Sequence, residues 1–308
     1  MRIIVVGIGG VGGYFGGRLA LTDHQVEFVV RGPHGDAIRK NGLLVKSIYG
    51  DFTAHPDSVH PDLGSVVDPD LVLVCTKSWQ LEEVARGLKD KVLPTTRILP
   101  LQNGVNSIEK LTGFLPENLI LGGLCKIISK IDAPGVINHF AFHPQIIFGE
   151  VNGNESESAR EVRKVLEGAG IDVVLSDDIR LDVWRKFLFI CTISGLGGVC
   201  RQEIGVMRED PGLRELMMQT AREILALAGK KEIGLTVNDI EKTFQAIDKQ
   251  AYHSTASVQR DLMEGRPSEI HDFNGYVVSE SEKYGLEAPV NKFIYYSLRP
   301  MEDHARKN

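Results

Sequence analysis

The sequence is poor in the features that mark several protein classes. Its 308 residues hold four cysteines, Cys75, Cys125, Cys191 and Cys200, and no C-x-x-C pair. Thiols scattered through a chain of this size argue against a disulfide framework and for reduced side chains in a cytosol. Excess positive charge is absent too: the formal net charge is -6. That balance speaks against a nucleic-acid or anionic-membrane surface, and no run of like charge suggests an electrostatic tail. Long hydrophobic runs are missing as well. The apolar start "RIIVV" is broken by glycines after five residues, with no small-residue cleavage site to follow. The uncharged stretch from Phe187 to Cys200 is too short to span a bilayer and contains Gly195, Gly197 and Gly198. A soluble, cytoplasmic protein is expected. His139 and His143 have i,i+4 spacing, but "INHFAFHPQIIFG" is rich in β-formers and carries a proline, so no helical metal pair is expected. There is no internal repeat.

What remains is an ordinary globular composition, 43% hydrophobic and 25% charged, at a length that favours two domains. In the first half short β-rich runs, "RIIVV" (2–6), "QVEFVV" (25–30), "LVLVC" (71–75) and "RILPL" (97–101), alternate with helical patterns such as "SWQLEEVARGLKD". Such alternation predicts βαβ units and a parallel sheet. Beyond "AGIDVVLSDDIR" (169–180) the patterns are mainly helical, with apolar residues at 213, 216, 217, 220/221, 224 and 227/228. The reading is an α/β protein. A Rossmann-type, doubly wound parallel sheet occupies 1–177, and a mainly α-helical substrate and catalytic domain occupies 178–308.

"VVGIGGVGG" contains G-x-G-x-x-G, and its context raises a weak motif to a strong one. An apolar strand ends at Val6 and a helix is expected from about Val11. In this arrangement Gly7 permits a tight turn, Gly9 lets the backbone approach a pyrophosphate, and Gly12 lets helix and strand pack closely. The N–H groups of Gly7, Ile8, Gly9, Gly10, Val11 and Gly12 and the helix dipole would then hold phosphate charge. The second strand ends in "EFVVRG", with Arg31 19 residues past Gly12 and Glu27 too early, inside the strand. An arginine there suits a 2′-phosphate, so NADPH is favoured over NADH. A surface arginine in a βα turn is the alternative.

The chain resembles the ketopantoate reductase (2-dehydropantoate 2-reductase) family along nearly its whole length. The resemblance is carried by the glycine loop, Arg31, "RKNGLLV" (39–45), "CTKSWQ" (75–80), "LQNGVN" (101–106), "LGGL…APGVINH" (121–139), "WRKF" (184–187) and "SVQRDLMEGRPSEI" (257–270). It implies a Rossmann domain followed by a helical domain, with the active site in the cleft between them. It also implies NADPH-dependent reduction of a 2-oxo acid, by default ketopantoate to pantoate on the way to pantothenate and coenzyme A. No nucleic-acid or membrane partner is implied, and a monomer or homodimer is expected.

Reduction of a ketone leaves negative charge on oxygen, which calls for a proton donor and aimed hydrogen-bond donors. Lys186, at the head of an apolar run, matches the family's general acid; a lysine in a partly desolvated cleft has its pKa lowered toward the working range. The alternative is a stem packed on the helix with its head in water. Glu269 is expected in a first helical turn after Pro267 and Ser268, where the dipole favours its anion; the resemblance has it position the lysine and border the cofactor. Ser257, twelve residues earlier, would bind the substrate carboxylate. Asn103 in "LQNG" can donate to substrate or cofactor, or simply form a turn. Lys77 matches a lysine bordering the cofactor cleft, or is a solvated loop residue. Lys186, Ile190 and Ser194 share a helical stripe. Ser194 is kept as a substrate-binding candidate. The family typically has asparagines where Ile190, Ser194 and Ile204 stand. Losing amide donors shifts substrate preference strongly, so a less polar oxo acid stands beside ketopantoate. A silent NADP-binding sensor is a further alternative, disfavoured by the retained Lys186, Glu269, Ser257 and Asn103, and a β-hydroxyacid or hydroxyacyl dehydrogenase is another, disfavoured by the pairing of "WRKF" with "GRPSEI".

Overall fold

The structure, a computed structural model, describes residues 1–153 and 155–307. It divides into two compact units, Met1–Ile179 and Arg180–Asn308. In the first unit the chain runs β1 (Arg2–Val6), α1 (Gly10–Leu19), β2 (Gln25–Val29), α2 (Gly32–Asn41), β3 (Leu43–Ser47), β4 (Phe52–Ala54) and β5 (Ser58–His60). It continues through β6 (Leu71–Val74), α3 (Leu81–Leu88), β7 (Arg97–Pro100), α4 (Ser107–Thr112), β8 (Leu121–Ala133), β9 (Val136–Glu150), α5 (Glu157–Gly168) and β10 (Asp172–Leu175).

A five-stranded parallel sheet has the order β5-β2-β1-β6-β7. β1 is apolar at nearly every position because both faces of the sheet are covered, and alternate side chains serve different cores. Ile3 and Val5 join a cluster with Phe15, Leu19 and Phe28, whereas Ile4 and Val6 join one with Leu81, Val84 and Leu88. This is the doubly wound, Rossmann-type sheet the alternation predicted. Arg2 and Arg97 lie at strand starts and are only partly buried, whereas the charged Glu27 on β2 is fully buried. Its carboxylate accepts from Arg2 Nε at 2.8 Å and lies 2.7 Å from His60 Nε2. Burial alone would raise its pKa, but the bonds from Arg2 and His60 outweigh it and hold the carboxyl below its ordinary value.

A second five-stranded sheet has the order β10-β9-β3-β4, with β8 paired antiparallel along β9. The sequence pattern did not reveal it. Its longest strands, β8 and β9, carry register shifts between Lys126 and Ile128, Ile128 and Ser129, and Ile131 and Ala133, which blur any period of two. α1 is sandwiched by the two sheets, and its sequence records it, for five of its ten residues are glycine. A Cβ at Gly16 would stand 3.1 Å from Val5 of the first sheet, and one at Gly17 3.1 Å from Phe52 of the second. At Gly13 it would meet Ile137 at 2.5 Å. Each glycine weakens an isolated helix by roughly 0.5–1 kcal/mol relative to alanine. Overpacking a core costs about 1–3 kcal/mol, so close approach outweighs helix propensity here.

The second unit is helical: α6 (Ile179–Cys200), α7 (Ile204–Glu209), α8 (Pro211–Lys230), α9 (Val237–Asp248), α10 (Ser257–Met263), a π-turn at His271–Gly275, α11 (Tyr276–Lys283) and α12 (Pro289–Ala305). α6 is long and apolar enough, by length and composition, to cross a membrane, and 61% of that stretch is buried inside the structure. The glycines expected to interrupt this stretch do not break the helix. A Cβ at Gly195 would meet Ile294 of α12 at 2.5 Å, and one at Gly198 Leu298 at 3.1 Å and Leu262 of α10 at 3.2 Å. These are the points at which neighbouring helices cross α6. The N-terminus of α12 is held by Glu223, which accepts from the N–H groups of Val290 and Asn291, both at 2.9 Å.

All four cysteines are free thiols, and burial pushes those of Cys75 and Cys191 well above their ordinary pKa. His139 and His143 stand on strand β9. The His139 ring meets Ser47 Oγ at 2.8 Å and the Phe142 carbonyl at 2.8 Å, while His143 lies 3.5 Å from Asp172. Among the described residues no group of three or more His, Cys, Asp or Glu side chains is arranged to hold a metal ion.

Candidate active site

In the first unit the candidate residues collect at the carboxyl ends of four adjacent parallel strands. Gly7 follows β1, Arg31 follows β2, Lys77 follows β6 and Asn103 follows β7. The sheet's ladder continues into these loops, with Gly7 N–H donating to Val29, Cys75 N–H to Val6 and Leu101 N–H to Val74. Open α/β sheets bind their ligands at this edge, where loop backbone and helix N-termini converge.

Each motif glycine has its own reason. Gly7 has φ +90, a left-handed backbone that a side chain disfavours, and a Cβ there would sit 2.8 Å from Thr76 N. Gly12 has no room: its Cβ would run into the carbonyl oxygen of Gly7 and stand 2.8 Å from Cys75 Cβ. Gly10 is covered by the Ser129 carbonyl of the second sheet. Gly9 differs from all of these, because a Cβ there would find no atom within 4 Å. Protein packing therefore does not account for Gly9, whereas the close passage of a pyrophosphate does. Ile8 and Val11 complete the loop, Ile8 buried and Val11 in the first turn of α1. The residues fit a dinucleotide.

Arg31 is exposed at the N-terminus of α2, with no hydrogen bond or ion pair to a described residue, while Glu27 is committed to Arg2 and His60. Lys77 is exposed, its ammonium 5.7 Å from the Trp79 ring centroid. Asn103 is half-buried before Gly104, whose φ is +102. Sequence reasoning missed Gln102, whose buried amide donates to Val74 O at 2.9 Å and Thr76 O at 3.1 Å and so ties the loops after β6 and β7. It also missed His34 in α2, whose Nδ1 accepts from Gly135 N–H at 2.9 Å. Burial holds the His34 pKa below its ordinary value, against the opposing pull of the Ile8 and Ala133 carbonyls. Gln102 stands inside the quoted "LQNG", so a signal was available; His34 depends on a hairpin turn 101 residues away.

In the second unit Lys186 is half-buried on α6, between Trp184 and Phe187, which are fully enclosed. Trp184 and Phe187 make edge-on contacts of 5.6 Å with each other, and Phe187 makes contacts of 6.2 Å with both Phe273 and Tyr276. The segment bearing the lysine thus packs on the segment that follows Glu269. Arg185 anchors the same turn, donating to Asp239 at 2.9 Å.

Glu269 is buried but stands outside the helix, correcting the expectation of a first-turn position. The chain enters through the π-turn His271–Gly275, with Gly275 N–H reaching back to Ile270 O and Asp272 N–H to Glu269 O. The preceding residue explains the delay. Ser268 is fully buried and donates its N–H (2.7 Å) and its hydroxyl to Glu302 of α12. Arg306 bonds Glu302 at 2.6 Å and returns to Ser268 O at 3.1 Å. This clamp fixes the backbone just before Glu269, and no local sequence signal reveals it.

Ser257 is half-buried at the first position of α10. Ser194 is fully buried, and its hydroxyl has no hydrogen-bond partner among the described residues. Ile190 is partly exposed and Ile204 buried. The structure therefore brings together Gly7–Gly12, Arg31, Lys77 and Asn103 at one sheet edge of the first unit, and places the segments of Lys186 and Glu269 in contact in the second.

A glycine loop at the carboxyl edge of a doubly wound parallel sheet marks a dinucleotide-binding protein. Residues 3–153 match the family model described as "Ketopantoate reductase PanE/ApbA", and residues 178–302 the one described as "Ketopantoate reductase PanE/ApbA C terminal". The chain belongs to the ketopantoate reductase PanE/ApbA family, whose members are NADP-dependent oxidoreductases acting on CH–OH groups. It is 29% identical over 302 residues to "Uncharacterized oxidoreductase YkpB" of Bacillus subtilis (strain 168), covering 98% of this chain and 99% of that protein. It is 27% identical over 312 residues to the 2-dehydropantoate 2-reductase of Nostoc sp., covering 99% and 96%. The crystal structure of a PanE/ApbA family ketopantoate reductase from Ralstonia eutropha JMP134 superposes with a TM-score of 0.90 at 25% identity, covering 99% of this chain and 100% of that one.

Proposed function

We propose that the protein reduces a 2-oxo acid to the 2-hydroxy acid, with ketopantoate the first substrate to test, in the supply of pantoate for pantothenate and coenzyme A. The observation that carries this reading is the packing of Trp184 and Phe187 on Phe273 and Tyr276, which holds the segments of Lys186 and Glu269 together. NADPH, when bound, supplies the hydride. Gly7, Ile8, Gly9, Gly10, Val11 and Gly12 hold its pyrophosphate, Arg31 its 2′-phosphate, and Lys77 borders it. Lys186 holds the proton destined for the keto oxygen, where negative charge grows, and stabilises that oxygen meanwhile. Glu269 positions the ammonium and flanks the cofactor. Asn103 donates its amide to substrate or cofactor, and Ser257 donates its hydroxyl to the substrate carboxylate. The free thiols agree with a reducing, cytoplasmic setting, and a monomer or homodimer suffices.

A less polar oxo acid is the second reading. Ile190 is partly exposed one helical turn beyond Lys186, so an apolar substituent gains there what a hydroxyl would lose. Both readings are tested by following NADPH and NADH oxidation against a panel of 2-oxo acids that includes ketopantoate and analogues with bulky apolar side groups. Turnover of none of them would end the proposal, and faster turnover with NADH would end the part given to Arg31.

A further inference from the structure

The reading above makes the substrate an anion, and one cation in the second unit is placed as if for one. Arg260 lies on α10, three residues after Ser257 and hence on the same face. It is half-buried, and no carboxylate among the described residues lies within ion-pair distance of it. Its neighbour Asp261 is engaged by Arg266 at 2.8 Å. One terminal nitrogen of Arg260 donates to the carbonyl and the hydroxyl (3.1 Å) of Thr255. That contact curls the guanidinium back to the start of α10, where Ser257 stands. Its Nε and its other terminal nitrogen have no hydrogen-bond partner among the described residues. Burial lowers the Arg260 pKa, with Arg266 adding to the effect and Asp261 opposing it, as fits a cation short of counter-charge. The same stretch receives Ile204, whose N–H donates to Ser254 O at 2.9 Å.

We propose that Arg260 is the anchor for the carboxylate of the oxo acid, sharing it with the hydroxyl of Ser257. The deduction rests on the function proposed above and sharpens it. A guanidinium offers two parallel N–H donors to a carboxylate, a charge-assisted pair stronger than any amide contact. A partly desolvated arginine without a counter-charge is costly, and a bound anion relieves that cost. With Ile190 and Ile204 apolar, the specificity of the site moves from the substrate's side group to its acid group. The substrate class that follows is a free 2-oxo acid with an apolar side group, with esters and simple ketones reduced far less efficiently.

The test compares a 2-oxo acid with its own methyl ester, both assayed with NADPH, in wild type, Arg260→Gln and Arg260→Lys. In Arg260→Gln, KM for the acid is expected to rise roughly 30- to 100-fold, the loss of a charge-assisted contact. The ester kinetics, kcat and the KM for NADPH should stay within about threefold, and Arg260→Lys should recover part of the loss. An unchanged acid-to-ester preference in Arg260→Gln overturns the anchor while leaving the reductase reading intact. If Arg260→Gln does not fold, Arg260→Lys with an unaltered acid-to-ester preference overturns it equally. A wild type that reduces no 2-oxo acid removes the reading and the anchor together.

Discussion

On the proposed function, the two units prepare for the same chemistry by opposite means. The first does so by omission: Gly7, Gly10 and Gly12 make room for the chain's own backbone, and Gly9, where a Cβ would meet no protein atom, leaves space for a ligand. The second does so by supply, presenting an ammonium and a carboxylate on elements clamped by aromatic packing and by the Ser268–Glu302–Arg306 network. A site built of backbone depends on local spacing, whereas one built of side chains depends on contacts between distant segments. Mutations should therefore act on cofactor binding in the first unit and on turnover or substrate binding in the second.

The largest expected effect tests the second unit. Lys186→Ala should lower kcat by about two to four orders of magnitude and leave the NADPH dissociation constant, read by fluorescence titration, nearly unchanged. A parallel loss of NADPH binding would break the division of labour. Next comes the clamp. Glu302→Ala should destabilise the fold by roughly 3 kcal/mol, since it removes the carboxylate that Arg306 bonds and strands the buried Ser268 donors; chemical denaturation of the whole chain measures it. An unaltered denaturation midpoint would show that the clamp holds nothing.

The glycines sharpen the comparison further. Gly12→Ala must displace the Gly7 carbonyl and should lose about 1–3 kcal/mol of stability. Gly9→Ala meets no protein atom, so its melting temperature should match wild type while NADPH affinity falls roughly tenfold. A Gly9→Ala protein with full affinity would deny that the space beside Gly9 serves a dinucleotide. The smallest effect is electrostatic. The folded pKa of Glu27 lies below its ordinary value, so the stability it contributes is complete above that value, about 4.3. It is lost as pH falls through the folded pKa. The urea midpoint of wild type should thus fall more steeply between neutral pH and pH 3 than that of Glu27→Gln, and parallel curves would contradict it.

The same contrast explains what was legible in advance. β1, β2, β6 and β7 and the glycine loop follow from period and spacing, because a strand covered on both faces must be apolar throughout. The second sheet escaped notice, since β8 and β9 lose their alternation at register shifts and β4 spans only three residues. Lys186 and Glu269 were recognisable as motif residues, but the lysine's aromatic flanks, the clamp through Glu302 and the π-turn after Glu269 are tertiary facts. The extra glycines of α6 looked like interruptions and are helix crossings. Nothing in the sequence singles out Arg260, whose lack of a carboxylate within ion-pair distance among the described residues is a tertiary fact.

The sandwiching of α1 bears on anyone who wishes to borrow the nucleotide-binding half as a portable module. Gly10, Gly13 and Gly17 face Ser129, Ile137 and Phe52, so excision after β7 would strip two of those three neighbours from a helix with little of its own to hold it. The smallest transplantable piece must carry the long hairpin with it.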